Sequence, residues 1–319
     1  MNNAQKQFNE EIERMISKKL GEDISVKVNL VYKPNLPELY GISFQEKSSN
    51  ISPIIYLNSF YIEYQNGAEM DWIVDEILRV FDEHRKSNVN FDTSFFTNFD
   101  SISSRIACKV INAKMNKKYL ESGIAHTLIL DDELAVIYYV LVQSDLEGNA
   151  TITIRDDHLA IWNKSIEEIN GLAISQTPAL MGVVLKDICS VLREMLKNEL
   201  AKDMNVDEAT MENLLFQMME DAINPKIYVL SNDSMVNGAC LAYLYPEKLK
   251  SFLKEIGSKK AVILPSSIHE TIIVPVDEME SNIFSEMVHE VNATQLKQEE
   301  ILSERPCLFD ATNNTYIWI

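Results

Sequence analysis

Hydrophobic positions along this chain change period several times, and each change marks an element. Residues 4–20 set Phe8, Ile12, Met15, Ile16 and Leu20 at helical spacing, with Gly21 as a stop. Ile24–Val31 then alternates, so Ile24, Val26, Val28 and Leu30 share one face of a strand. Two prolines in Lys33–Glu38 turn the chain. Tyr40–Gln45 and Pro53–Asn58 predict two more strands, and Glu69–His84 returns to helical period through Met70, Ile73, Val74, Ile77, Leu78 and Phe81. The opening therefore predicts α-β-β-β-α. Residues 91–120 read as mostly helical, through Phe99, Ile102, Ile106, Val110 and Ile111.

Further on, Thr127–Leu130, Leu134–Val142 and Ala150–Ile154 form a strand group, the last two joined by the polar Gln143–Asn149. Asp156 or Asp157 is placed to cap a helix near His158, and Ser165 with Glu168 has capping-box spacing for a helix over Ser165–Ser175 that Pro178 breaks. Residues 181–202 and Val206–Asp221 predict amphipathic helices, and Pro225 marks a boundary. Ile227–Leu230 and Gly238–Leu244 read as strands, followed by a helix at Pro246–Ile256. Ala261–Leu264 and Thr271–Val274 make a strand pair across a short break. A helix at Asp277–Val291 and a short strand at Tyr316–Ile319 complete the pattern. Strand pairs joined by short turns predict mainly antiparallel sheets with packed amphipathic helices, an α+β fold. At 319 residues the chain suits two domains, 1–120 and 121–319, with a sub-boundary near 225.

Charge narrows the function classes. There are 48 Asp and Glu against 29 Lys and Arg, a formal charge of −19. Such a surface repels phosphate backbones, so direct binding to nucleic acid or an anionic membrane is disfavoured. Solubility accounts for the acidity; an acidic face for a basic protein partner is the sharper reading. Cys108, Cys189, Cys240 and Cys307 are far apart and form no CxxC, which fits free thiols in a reducing compartment. Residues 1–20 lack an apolar core and cleavage site, and no apolar run reaches the roughly 18 residues of a membrane span, so the expectation is a cytoplasmic protein.

Few constellations could carry chemistry. The break between the strands at 261–274 holds Ser266, Ser267, His269 and Glu270, the types needed for a nucleophile, a base and a carboxylate. On an extended segment Ser267 and His269 share a side and Glu270 points away, so a hydrolase needs a further acid, and no GxSxG elbow supports one. The plainer reading is a polar turn. Asp131, Asp132 and Glu133 with Asp156 and Asp157 could form a divalent-metal pocket, but a charged turn and a helix cap are the preferred reading, since no lysine-bearing nuclease motif such as ExK follows on a strand. In the helical run MVHEVN, His289-Glu290 lacks the second histidine of a zinc motif, Ala293 standing at its place. Neither GxGxxG nor GxxxxGK[ST] occurs. No metal or cofactor is expected. Tyr56, Phe60, Tyr61 and Tyr64 could line a peptide groove, or seat a helix on its sheet.

Tyr228–Pro275, with its asparagine-rich strand end, tyrosine-proline helix start and ILPSSIHE turn, resembles a bacterial family of unknown function, domain of unknown function 5688. Pro53–Gly67, Thr151–Ile169 and Met287–Ser303 share that pattern, and a more distant similarity links the chain to the YtpQ-like proteins. Where the family pattern has tryptophan-glycine, this chain has Trp162-Asn163. The resemblance implies one architecture through all segments and a setting on mobile elements of gut Firmicutes; it implies no activity. The residues thus favour a non-enzymatic interaction module with a protein partner over a hydrolase or metal-dependent nuclease working at Ser267 and His269, and the resemblance implies an accessory or counter-defence role for it.

Overall fold

The computed structural model describes residues 3–46, 54–86, 94–145, 148–191, 193–194, 227–276 and 281–319. It is α+β, and the chain divides into two compact units, Met1–Ser101 and Ile102–Ile319.

In the first unit, α1 (Asn3–Leu20) leads into β1 (Ile24–Val31), β2 (Leu39–Glu46) and β3 (Ile54–Tyr56). These strands form an antiparallel sheet in the order β1-β2-β3. Two helices follow, α2 (Asn58–Gln65) and α3 (Met70–Lys86). The predicted helical stripes of α1 and α3 and the inward positions of the sheet form one core, with Ile12, Ile16, Ile42, Phe44, Ile73, Ile77 and Phe81 buried in it. Phe44 and Phe81 stack with ring centroids 4.2 Å apart. Two four-residue helices, α4 (Ser94–Thr97) and α5 (Phe99–Ile102), lead to the unit boundary.

The second unit holds two antiparallel sheets. One comprises β4 (Ile106–Asn112), β5 (His126–Ile129), β6 (Leu134–Asp145) and β7 (Gly148–Thr153), all paired with β6. Between these strands lie α6 (Lys117–Glu121) and, after β7, α7 (Asp156–Trp162) and α8 (Ile166–Met181). The other sheet is built from β8 (Val184–Asp187), β9 (Tyr228–Ser231), β10 (Lys260–Leu264), β11 (Thr271–Val276), β12 (Cys307–Asp310) and β13 (Thr315–Trp318), in the order β13-β12-β10-β11-β9-β8. Its helices are α9 (Cys240–Leu244), α10 (Pro246–Glu255) and α11 (Ser281–Thr294).

Several sequence expectations change here, for one physical reason. Ile106–Asn112 is a strand, where the pattern read as helix, and it pairs with β6 from end to end. Residues 106–112 are buried except Lys109, so no polar face reveals the period. Gly238–Leu244 reads as a strand, yet Cys240–Leu244 is helical, again with Cys240, Leu241, Ala242 and Tyr243 all buried. Val184–Asp187, inside the stretch read as one long helix, is an edge strand on β9. Pro178 lies inside α8 instead of ending it. Cys307–Asp310 is a strand that the pattern did not single out. The helix read at Val206–Asp221 and the Pro225 boundary lie outside the described residues.

Local signals held where side chain and backbone interact directly. Ser165 and Glu168 form the capping box of α8, with Ser165 N–H donating to Glu168 Oε2 at 2.8 Å. Asn163 ends α7 in the left-handed region at φ 51°, a conformation that suits glycine best and asparagine next. The outer edge of β4 is sealed: Cys108 N–H donates to Thr177 Oγ1 (3.0 Å), and Cys240 Sγ donates to the Cys108 carbonyl (3.6 Å).

Two stability outcomes follow. Phe44→Ala should lower the unfolding free energy by about 3–5 kcal/mol in denaturant titration, because it opens a cavity at the Phe44–Phe81 stack. Ser165→Ala should cost about 1 kcal/mol, the loss of one helix cap.

Candidate functional site

The break between β10 and β11 is a knotted turn. Ser267 is buried, and its hydroxyl accepts from the backbone N–H groups of His269 (3.0 Å) and Glu270 (3.3 Å). Ser267 N–H in turn donates to the Glu270 carbonyl at 3.1 Å. The His269 carbonyl accepts twice, from Ser231 Oγ and from Gly238 N–H, both at 2.8 Å. Ala239 N–H reaches the Ile268 carbonyl (3.3 Å), and Ile268 N–H reaches the Glu300 carbonyl (2.8 Å). Three distant segments, 231–239, 265–270 and 298–300, thus meet through backbone groups.

The asparagine-rich segment after β9 supplies the other half of the knot. Asn232 Oδ1 accepts from Val236 N–H and Ser234 Oγ, while its Nδ2 donates to the Val236 carbonyl. Met235 and Asn237 take positive φ, 54° and 59°. For methionine that conformation is uncommon and is held by surrounding contacts. Gly238 has no room for a side chain: a Cβ there would stand 2.4 Å from Ser231 Oγ and 2.7 Å from both Asn232 N and the His269 carbonyl oxygen.

His269 faces Asn237 and Glu300. Its Nδ1 accepts from Asn237 N–H at 3.2 Å, and its Nε2 lies 3.8 Å from Glu300 Oε1. Burial lowers the imidazole below its ordinary value; the Glu300 carboxylate opposes that shift and Lys109 adds to it. Lys109, on β4, is itself lowered by burial. The ring is therefore neutral at pH 7, with Nδ1 as acceptor and Nε2 carrying the proton. No hydrogen bond joins Ser267 Oγ to this ring among the described residues.

Ser266 and Glu270 leave the turn in other directions. Ser266 lines a small apolar depression with Pro265, Met287 and Val291. Glu270 opens into a cavity of about 520 Å³ over the β8–β9–β11 end of the sheet. The register explains its floor: Lys186 pairs with Val229, which pairs with Ile272, so these three stand in one row on one face. Beyond β8, Asp187 caps the helical residues 188–191, accepting from Ser190 N–H (2.9 Å) and Oγ (2.6 Å). Val184, Ile188, Val191, Val229, Met235 and Ile272 give apolar walls.

Four charged groups line the same space: Lys186, Glu194, Asp233 and Glu270. Lys186 is spent on Glu194, at 2.8 Å. Glu270 has only burial acting on it, which raises its carboxyl above the ordinary value. Asp233 N–H donates to the Met181 carbonyl at 3.0 Å, holding the residue at the C-terminus of α8. Its carboxylate occupies the space a side chain at Gly182 would need, with Asp233 Oδ2 2.1 Å from that Cβ position. Gly182 has φ 74°, so backbone and neighbour both require glycine there.

The remaining candidates sit elsewhere. Tyr61 is buried against Phe8 at 5.3 Å between centroids, and Tyr64, 42% exposed, meets the same ring at 5.2 Å. Phe60 packs on the first unit's core, and Tyr56 lies under the Lys33 ammonium at 4.1 Å. Tyr61 and Tyr64 seat α2 on α1, while Tyr56 belongs to β3. Glu133 is buried and accepts from Lys114 (2.6 Å) and Arg305 (3.0 Å). Asp131 and Asp132 turn the chain at positive φ, and Asp156 and Asp157 open α7. Among the described residues no group of three or more His, Cys, Asp or Glu is placed to hold a metal ion.

Sequence reasoning missed Asp233, Lys186 and the apolar walls, which come from three strands and a helical turn far apart in the chain. The one available signal was the run SNDSMVNG, too polar and asparagine-rich for a plain connection.

If Ser267 is a turn staple, Ser267→Ala should cost about 1–3 kcal/mol of stability by stranding two backbone donors. Urea unfolding of the variant measures this, and an unchanged midpoint contradicts the assignment. Glu270 gives a pH test. Its raised carboxyl favours the protonated form in the folded state, so its stabilising contribution is present below the ordinary 4.5 and lost as pH rises through the folded value. Glu270→Gln mimics the protonated form. Its stability relative to wild type should therefore climb with pH above 4.5, and a flat difference counts against the burial of this group.

Neither curated proteins nor solved structures yield a match to this chain. A protein family does, over residues 5–311. With nearly its whole length matched, the chain belongs to the family of unknown function DUF5688.

Proposed function

We propose that this protein is a cytoplasmic binding module that engages a basic protein surface and is not a hydrolase. The observation that carries the reading is the fate of Ser267: its buried hydroxyl accepts two backbone N–H bonds and makes none with the imidazole two residues away. A serine nucleophile needs its hydroxyl hydrogen-bonded to a base that a third group orients. His269 here has a backbone donor on Nδ1 and Glu300 too far from Nε2 for a hydrogen bond.

The excess of carboxylates, a formal −19, supports a basic partner. Free buried thiols at Cys108, Cys240 and Cys307 support a reducing compartment. Among the described residues no helix is long and apolar enough to cross a membrane. A role as an accessory or counter-defence protein of a mobile element fits a module of this kind.

The test has two arms. A partner captured by crosslinking in the native host should bind the purified protein saturably, and its Kd should weaken several-fold as salt is raised from low to physiological strength. In the second arm, ester, peptide and phosphodiester substrates should show no turnover that His269→Ala removes. Absence of any saturable partner, or turnover lost in His269→Ala with folding intact, overturns the proposal in favour of the hydrolase or nuclease.

A further inference from the structure

The cavity over β8, β9 and β11 has features that an interaction surface does not require. At about 520 Å³ it lies within the roughly 300–1,000 Å³ range of small-molecule sites, and most of its lining is apolar. Its charges do not cancel. Three carboxylates, Glu194, Asp233 and Glu270, face one ammonium, Lys186, and that ammonium is committed to Glu194.

Asp233 and Glu270 are left without a cationic partner among the described residues, and the half-buried Glu270 sits where a negative charge is costly. Asp233 stands at the C-terminus of α8, the negative end of a 16-residue helix. Carboxylates are disfavoured there, and cations are favoured. Glu270 is half-buried in a cavity it shares with Ile272 and Val229, and among the described residues its carboxylate takes no hydrogen bond. The arrangement is kept at a further cost: Met235 in the cavity wall holds a left-handed backbone, and Gly182 leaves its side-chain space to Asp233.

We propose that this cavity binds a small organic cation, an ammonium or guanidinium on an apolar body, with Glu270 and Asp233 as its counter-charges. The apolar walls take the body of the ligand. The cationic head offsets both carboxylates and the negative end of α8. A neutral ligand of the same shape would bury the two carboxylates unpaired, and an anionic ligand would add a third unpaired negative charge. The proposal does not rest on the reading of a basic protein partner.

Isothermal titration of the full chain with n-hexylammonium, n-hexanol and hexanoate tests the site. Hexylammonium should bind saturably and roughly tenfold or more tightly than hexanol, the gain expected of a charge-assisted contact, and hexanoate should not bind. Glu270→Gln and Asp233→Asn should each bring the amine towards the affinity of the alcohol. Asp233 is exposed, so its variant keeps the test valid if Glu270→Gln perturbs folding. Ile188→Trp, which fills the cavity from its rim, should remove binding of amine and alcohol together. Equal binding of amine and alcohol overturns the proposal. So does amine binding that survives both carboxylate variants or the filled cavity, or no saturable heat with the amine.

Discussion

The carbonyl of His269 accepts from two donors, one at the end of β9 and one on the loop that follows it, and this junction ties the turn before β11 to that loop. One bond comes from a serine hydroxyl and the other from the N–H of a glycine with no space for a side chain. Together they hold the 265–270 turn against the 231–239 loop. Backbone groups buried at such a junction must be paired, so the loop has little freedom to rearrange.

The junction also separates residues that look like one site in the linear chain. Ser266, Ser267, His269 and Glu270 are near neighbours, yet their side chains face four surroundings. Ser266 packs beside α11, Ser267 staples the turn, His269 meets Asn237 and Glu300, and Glu270 enters the cavity. A tight turn does this because successive residues change direction too quickly to share a face. The groups that do converge, Asp233 and Glu270, come from the ends of two adjacent strands. Burial acts on the Glu270 carboxyl, and Asp233 stands beside the C-terminus of α8.

Edges are handled in a related way. The last strand of the large sheet, β8, has Asp187 at its end, which caps the helical turn that rises over the cavity. The free edge of β4 is closed by a threonine hydroxyl and a thiol from two helices. At β4 these side chains supply to the Cys108 backbone what a missing strand would have supplied.

Much of the fold was legible in the chain itself. Alternation from Ile24 to Val31, the stripes of α1 and α3 and the capping box of Ser165 and Glu168 are local facts, because an element with one wet face and one dry face displays its period. Segments 106–112 and 240–244 were misread because burial on every side removes that signal. Edge strand β8 was absorbed into a helical reading since its pairing partner lies some forty residues away. For the site, the residues of the 265–270 turn were nameable, but their roles were not. Which hydroxyl is consumed by backbone and which carboxylates share a cavity depend on contacts between distant segments. Those contacts arise only when burial forces each polar group to find a partner or remain without one.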